Sequence, residues 1–242
     1  MNVFRQTGLI LALGAGACLA QSNGNFSATG SGAACAIGAN GALSGGIVGN
    51  SFVTNISTSG GQGVTLDIRP SFVTGLFTDT KISTTVPSAS SEVGIQVCVT
   101  VDGSGAGVLP ASCVIYDERF QQISSQLFSQ LSACTMLSSG VACTTNADCT
   151  NPSFPTCNNT TGNALAGVCV GPNPSCNFEL ILSTLSAHSF DFVVPVDNKK
   201  AHTVNTTWNV INASGNQAAC IGPGITTVTQ VKTFNNSGTL TF

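Results

Sequence analysis

Apolar and polar residues alternate with a period of two along much of this chain. In GIQVCVTVD, residues 94–102, the apolar positions Ile95, Val97, Val99 and Val101 fall on one face. The same alternation recurs in four further stretches: VTLDIRP (64–70), NFELIL (177–182), SFDFVVPV (189–196) and TVNTTWNV (203–210). This period is typical of half-buried strands in antiparallel sheets.

Clusters of Gly, Asn and Pro separate these stretches, at DGSGAG (102–107), NASGN (212–216) and GPG (222–224). Such clusters are typical of turns. Strands that follow one another through turns, each with one apolar face, are stable when two sheets pack face to face. The pattern therefore predicts an all-β protein: an antiparallel β-sandwich, immunoglobulin-like or jelly-roll-like.

One segment, residues 117–133, has helical spacing instead. Its larger apolar residues are Phe120, Ile123, Leu127, Phe128 and Leu131. They recur every three or four positions, which predicts one short amphipathic helix with Asp117 as its N-cap. We expect this helix to cover one end of the sandwich.

The first 20 residues have the pattern of a secretory signal peptide. Arg5 provides the positive charge, residues 8–17 form a short apolar run, and small residues precede a cleavage point after Ala20. Lipid attachment at Cys18 and an uncleaved anchor are less favoured alternatives. No later stretch reaches 18 apolar residues, so no transmembrane segment is predicted. The chain is therefore expected to be secreted, with an extracellular, cell-surface or periplasmic location.

The composition narrows the classes of function. Charged residues make up 7% of the chain and the net charge is −3, so no basic patch is expected for nucleic acid. A hydrophobic fraction of 42% argues against disorder. Polarity comes mostly from uncharged residues, and surfaces of that kind repel one another weakly, which suits proteins that assemble or form coats.

Ten cysteines remain once Cys18 is removed with the signal peptide. An even number in an exported chain predicts a disulfide framework. No two cysteines have the close spacing of a structural zinc site or a C-x-x-C redox motif. Residues 135–175 lose all periodicity, so we expect a disulfide-rich loop insertion within a single sandwich domain spanning residues 21–242.

Segment boundaries suggest three of the disulfides. Regular structure is expected to stop and resume at the two cysteines that flank the insertion, and another pair flanks the DGSGAG turn. A third pair would join the two ends of the mature chain. The proposed pairs are Cys134–Cys176, Cys98–Cys113 and Cys35–Cys220, with the four cysteines inside the insertion pairing among themselves.

The segment CTTNADCTNPSFPTCNNTTGNALAGVC, residues 143–169, resembles a cysteine-rich knuckle of the Dickkopf or colipase type. This resemblance implies alternating disulfides, Cys143–Cys157 and Cys149–Cys169. It also implies that the knuckle supports a binding surface or acts as a spacer and is not catalytic.

Catalytic chemistry has little support in the sequence. A Ser-His-Asp triad could be drawn from His188 or His202, with the nearby Asp191 or Asp197 and with Ser186 or Ser189 as nucleophile. No nucleophile-elbow motif accompanies it. For a metal site formed by the two histidines, His188 and His202, with Asp191, no further convergent ligand is evident. We therefore predict no catalytic residues, no cofactor and no metal site.

The preferred hypothesis is a secreted, non-enzymatic structural or surface-assembly protein. An extracellular module that binds carbohydrate or another surface ligand is the alternative, and a secreted hydrolase is third. The chain has one Trp, Trp208, and one Tyr, Tyr116, which is few for a sugar-binding surface. Trp208 falls on the apolar face of its stretch, so we expect it in the core. The expected partners are other copies of the chain, or a cell-surface or carbohydrate ligand.

Overall fold

The computed structural model of the protein describes residues 25–60, 64–84, 86–124, 126–127, 134, 136–162, 165–198, 200–213 and 216–232. The expected signal peptide, residues 1–20, lies outside the described residues. Within them, strands pair antiparallel throughout, so the all-β prediction is confirmed. No helix in this part of the chain is long and apolar enough to span a membrane.

The described strands are numbered in chain order. They are β1 (Phe26–Ser31), β2 (Cys35–Ile37), β3 (Leu43–Gly45), β4 (Ser51–Ser57), β5 (Val64–Ser83), β6 (Ala89–Val101), β7 (Cys113–Ile123), β8 (Met136–Ala142), β9 (Thr156–Asn158), β10 (Val168–Pro172), β11 (Asn177–Ser189), β12 (Phe192–Pro195), β13 (Ala201–Ile211) and β14 (Gln217–Lys232). A single turn of 3-10 helix, Asn146–Asp148, lies between β8 and β9.

Two sheets form the sandwich. Sheet A has the strand order β1–β14–β5–β11, and β12 extends its β11 side by pairing with the first part of β5. Sheet B has the order β4–β13–β6–β7. Within the described chain, the edges of sheet A are therefore β1 on one side and β11 with β12 on the other, and those of sheet B are β4 and β7.

The core lies between the sheets and consists of the inward rows that the alternation predicted. Ile95 and Val97 on β6 and Leu66 on β5 are fully buried, and they belong to one continuous apolar cluster with residues of β13 and β14. The row on β13 holds as far as Trp208, whereas Val210 at its end is 48% exposed. Burial of these rows is the main favourable contribution to folding.

Aromatic side chains fill the middle of the core. The ring of Trp208 lies 5.1 Å from that of Phe52 and 5.2 Å from that of Phe72. The ring of Tyr116 packs against Phe72 at 5.8 Å. The prediction that Trp208 is a core residue is confirmed, since it is 6% exposed.

The helix predicted over residues 117–133 is wrong for its first part, because β7 continues to Ile123. Phe120, which set the helical spacing, is 62% exposed and faces solvent. Asp117 caps no helix and instead points inward from the strand, where its carboxylate accepts a hydrogen bond. Further along, Gln126 and Leu127 are helical as predicted, whereas residues 125 and 128–133 of the predicted helix lie outside the described residues.

Polar side chains on the inward row of β7 bond to β5. Asp117 accepts a hydrogen bond from the Thr74 hydroxyl, and the amide oxygen of Gln121 accepts one from Thr78 at 2.7 Å. Arg119 donates to a backbone carbonyl of β5 at 3.1 Å. Because the inward residues of this part of β7 are polar, the alternation of the strand cannot be recognised from its hydrophobic residues. The Gln121 amide also donates to the carbonyl of Leu180 on β11 at 3.1 Å, so β7 lies above both β5 and β11.

A short hairpin, β2 and β3, lies on the outer face of sheet A. Cys35 at the start of β2 is bonded to Cys220 of β14, which fixes the hairpin to the sheet. The turn between the two strands lies against β11, where the Ser183 hydroxyl donates to the carbonyl of Gly41.

The insertion and the ends of the described chain lie at opposite ends of the sandwich. Strands β8, β10 and β9 form a separate small sheet within the insertion, which joins β11 at Asn177, opposite Ser83 of β5. At the other end of β5, Val64 pairs with Lys232. There β1 also begins, with Asn25 accepting a hydrogen bond from the backbone of β14.

Candidate assembly edge

The ten cysteines of the described chain join in the same five pairs that the sequence analysis proposed. They are Cys35–Cys220, Cys98–Cys113, Cys134–Cys176, Cys143–Cys157 and Cys149–Cys169. Their Cα–Cα distances range from 4.0 to 6.0 Å. The last two pairs alternate within the knuckle, residues 143–169, as its resemblance implied. Five disulfides are typical of proteins in an oxidising compartment.

Three cysteine sulfurs of the knuckle form a compact cluster. The sulfur atoms of Cys143, Cys149 and Cys169 all lie within 4.8 Å of one another. Each is already bonded in a disulfide, and metal ions bind thiolates. The cluster is therefore explained by two crossing disulfides.

The triad drawn from the sequence around His188 is not assembled. The carboxylate of Asp191 is held by the guanidinium of Arg69, which keeps the pKa of Asp191 low. His188 instead faces Asp117 of β7, with its Nε2 atom 3.5 Å from the Asp117 carboxylate. That carboxylate accepts the Thr74 hydroxyl, so this group of residues links β5, β7 and β11.

His202 is buried and bonded at both ring nitrogens. Its Nδ1 atom lies 2.8 Å from a carboxylate oxygen of Asp102, and its Nε2 atom lies 2.9 Å from the backbone carbonyl of Asp197. The backbone N–H of Thr203 and the imidazole together hold the pKa of Asp102 below its usual range. The ring thus ties the turn after β6 to the connection between β12 and β13.

The two aromatic residues best suited to bind a sugar are both internal. Trp208 is 6% exposed and Tyr116 is 9% exposed. Neither ring is open for stacking on a ligand, which leaves the sheet edges as the surfaces to consider.

Strands β1 and β4, at one side of the sandwich, cover each other. The Thr29 hydroxyl of β1 donates to the carbonyl of Val53 on β4 at 2.9 Å. The Asn25 amide, just before β1, donates to the carbonyl of Ser57. These bonds occupy backbone carbonyls that edge strands otherwise leave open.

Strand β7 is protected by other means. It carries three consecutive charged residues, Asp117, Glu118 and Arg119. A bulge interrupts its pairing with β6 between Ile95 and Gln96. Charges and bulges are the features by which natural edge strands discourage pairing with other chains.

Strand β11 pairs with β5 along one side only within the described chain. Phe190, just after it, donates from its backbone N–H to the carbonyl of Pro70 at 3.3 Å. The Tyr116 hydroxyl bridges the N–H of Phe72 and the carbonyl of His188. Even-numbered residues on β11 therefore point their backbone groups at β5. Because direction alternates along a strand, the odd-numbered residues point theirs to the open edge.

This open edge lacks the usual protection. Strand β11 runs for 13 residues and pairs with β5 without a bulge. It contains no Lys, Arg or Pro, and its one charged residue, Glu179, is paired with Lys81 at 2.8 Å. Ile181, Leu182 and Leu185 are 41%, 41% and 42% exposed. A long, flat, apolar edge of this kind is a site for pairing with another chain.

The alternation of Phe178, Leu180 and Leu182 identified β11 as a strand but did not identify it as an edge. A signal was present in the run Leu180, Ile181, Leu182, which puts apolar residues on both faces of the strand. An exposed apolar row on the outer face is unusual for a half-buried strand.

Comparison of the chain with protein-family models, with curated proteins and with solved structures finds no match.

Proposed function

We propose that this protein is a secreted, non-enzymatic structural protein that assembles outside the cell by strand addition at β11. The observation that carries the proposal is the open edge of β11, which is 13 residues long, apolar and without the protection given to β1, β4 and β7. Strand addition uses main-chain hydrogen bonds for affinity and alternate side chains for specificity.

The surface composition supports assembly. With 7% charged residues and a net charge of −3, copies of the chain repel one another only weakly as they approach. Export is supported by the signal-peptide pattern of residues 1–20 and by the five disulfides. The knuckle, whose disulfides form a unit of their own, suits the role of a spacer.

The geometry of the histidines supports a non-enzymatic role. His202 is held at both nitrogens by groups of its own chain, and His188 lies beside Asp117 within a network that joins three strands. Each has a structural role that requires no substrate.

The proposal is tested by the association of the mature protein, measured by sedimentation velocity and equilibrium. We expect the native protein to form dimers or larger species below about 100 µM, which corresponds to about 5.5 kcal/mol of association free energy. Ile181→Lys and Leu185→Lys place a charge at the exposed apolar row of the edge, and both should weaken association at least about tenfold.

Two matched variants serve as controls. Val210→Lys adds the same charge at an exposed position of a central strand, and Val53→Lys adds it on β4. Both should associate as the native protein does. A native protein that stays monomeric at about 100 µM, or association that only Val53→Lys weakens, would refute assembly through β11.

A further inference from the structure

The proposed function leaves the partner of the edge undefined. Resting on that function, we propose that the partner is the β11 strand of a second copy of this chain. The two strands pair antiparallel about a twofold axis at Ser183 and join two A sheets into one. Twofold dimers are the commonest homo-oligomers, and their interfaces must be self-complementary.

The backbone of β11 meets this requirement. Its open side presents the N–H and C=O groups of odd-numbered residues from Asn177 to Ser189. An antiparallel pair forms its close hydrogen-bonded pairs between residues that both point to the shared side, so odd positions must face odd positions. Ser183 is the midpoint of β11, so an axis there pairs every residue of the strand, with Asn177 opposite Ser189 of the second copy. An axis at any other residue leaves one end unpaired.

The exposed apolar side chains match in the same register. Ile181 lies opposite Leu185 of the second copy, and by symmetry Leu185 lies opposite Ile181. Both residues are on the outer face and are 41% and 42% exposed in the single chain. On the other face, Leu182 lies opposite Thr184. Cross-strand pairs of apolar side chains stabilise a sheet, and the twofold axis makes the Ile181–Leu185 pair occur twice.

The charges of the edge also allow this register. Glu179 lies opposite Ala187 of the second copy, so the two Glu179 carboxylates are separated by about 27 Å along the strands. That distance exceeds the Debye length of about 10 Å at ordinary ionic strength. An axis at Glu179 would instead place the two carboxylates together.

Strand β7 lies over the inner face of β11 and away from its open side. The side chains of β7 reach inward over β5 and β11, bonding to the carbonyls of Leu180 and His188, so β7 does not occupy the open side. On the outer face the uncharged turn at Gly41 lies against Ser183. The axis therefore brings this turn beside its counterpart in the second copy.

Site-directed cross-linking tests the register. In Ser183→Cys, the axis places the two new thiols opposite each other, within the Cα–Cα range of about 4.4–6.8 Å that disulfides adopt. Mild oxidation should convert most of the protein to covalent dimer, at least about tenfold more than in the native chain. Peptide mapping should find the native five disulfides retained and the introduced thiol at position 183 joined to its counterpart in the second copy.

Two further samples keep the test decisive if Ser183→Cys folds poorly. Ala187→Cys alone should give no dimer, because its two thiols lie about 27 Å apart in this register. An equimolar mixture of Glu179→Cys and Ala187→Cys should give the mixed dimer. Self-cross-linking of Ala187→Cys, or failure of both Ser183→Cys and the mixture, would overturn the register.

A chain truncated after Lys232 tests the remaining alternative, in which the C-terminal segment of the chain occupies the edge of β11. In residues 233–242, TFNNSGTLTF, the apolar Phe234, Leu240 and Phe242 fall on even positions among polar ones, so this segment of the chain is the alternative candidate for addition to β11. We expect the truncated chain to associate within about twofold of the native one. If truncation abolishes association and Ser183→Cys does not cross-link, the occupant is that segment: the twofold register fails, while assembly at β11 stands. If the native protein does not associate at all, both proposals fail.

Discussion

Replacing Tyr116 by phenylalanine removes a single hydroxyl from the place where β5 and β11 meet beneath β7. That hydroxyl accepts a hydrogen bond from the backbone N–H of Phe72 at 3.1 Å and donates one to the carbonyl of His188. Phenylalanine retains the ring and its packing against Phe72. The two backbone groups lose their partner, and Phe72 is 2% exposed, so water cannot replace it.

A buried polar group left without a hydrogen bond costs about 1–3 kcal/mol. We therefore expect Tyr116→Phe to lower the free energy of unfolding by about 2 kcal/mol. Urea denaturation followed by the fluorescence of Trp208, the only tryptophan, measures the change. Thr29→Val is the control, because it removes a hydroxyl bonded at an exposed edge and should alter stability by no more than about 0.5 kcal/mol.

The same hydroxyl gives stability a dependence on alkaline pH. Burial raises the pKa of Tyr116 to about 12, from an ordinary value of 10.0. Since the native chain holds this proton more tightly than the unfolded chain, the contribution is complete below about pH 10 and is lost as the pH rises to about 12. Tyr116→Phe should lack this part of the alkaline loss.

Phenolate absorbance tests the argument directly, because Tyr116 is the only tyrosine of the chain. Ionisation should have its midpoint near pH 12 in the native protein and near about pH 10 in concentrated urea. A native midpoint near that of the unfolded chain would refute the burial of the hydroxyl. An unchanged unfolding free energy in Tyr116→Phe would refute its role in bonding the backbone.

Two further predictions concern packing and modularity. Gly224→Ala should destabilise the protein by about 1–3 kcal/mol, because a Cβ atom there would lie 2.2 Å from the Phe72 ring. Thermal unfolding measures the loss. Gly32→Ala is the control, because a Cβ atom at Gly32 meets nothing within 4 Å. Replacing residues 135–175 by a short Gly-Ser linker, with the flanking cysteines kept, should leave a secreted, folded sandwich, because the insertion forms a sheet of its own. Aggregation of that variant, or loss of the buried tryptophan signal, would contradict the modular arrangement.

Hydrophobic alternation predicts the core rows because most inward positions of those strands are apolar. Leu66 on β5 and Ile95 on β6 show the case in which pattern and burial agree. On β7 the inward positions are Asp117, Arg119 and Gln121, whose polar groups are satisfied by partners on strands distant in sequence. A pattern of hydrophobicity cannot represent such partners, so over residues 117–123 the spacing of Phe120 and Ile123 predicts a helix where the chain forms a strand.

Disulfide pairing could be predicted from the sequence because the period-two alternation of the sandwich is interrupted between Cys134 and Cys176. The edge position of β11 could not be predicted in this way. It depends on which strands lie next to β5, and these strands come from distant parts of the chain. The bridging role of Tyr116 likewise depends on three strands meeting at one point. Local propensity carries no information about such contacts.

The knuckle and the ends of the described chain lie at opposite ends of sheet A, which determines how the molecule would carry a mechanical load. Tension between the two would run along β5, β11 and β14, parallel to the strands. When force acts in that direction, the hydrogen bonds between neighbouring strands are loaded in shear all at once and do not open one by one. The Cys134–Cys176 bond prevents the intervening 41 residues from lengthening under force. The same covalent closure that isolates the insertion from the fold thus makes it a stiff attachment point.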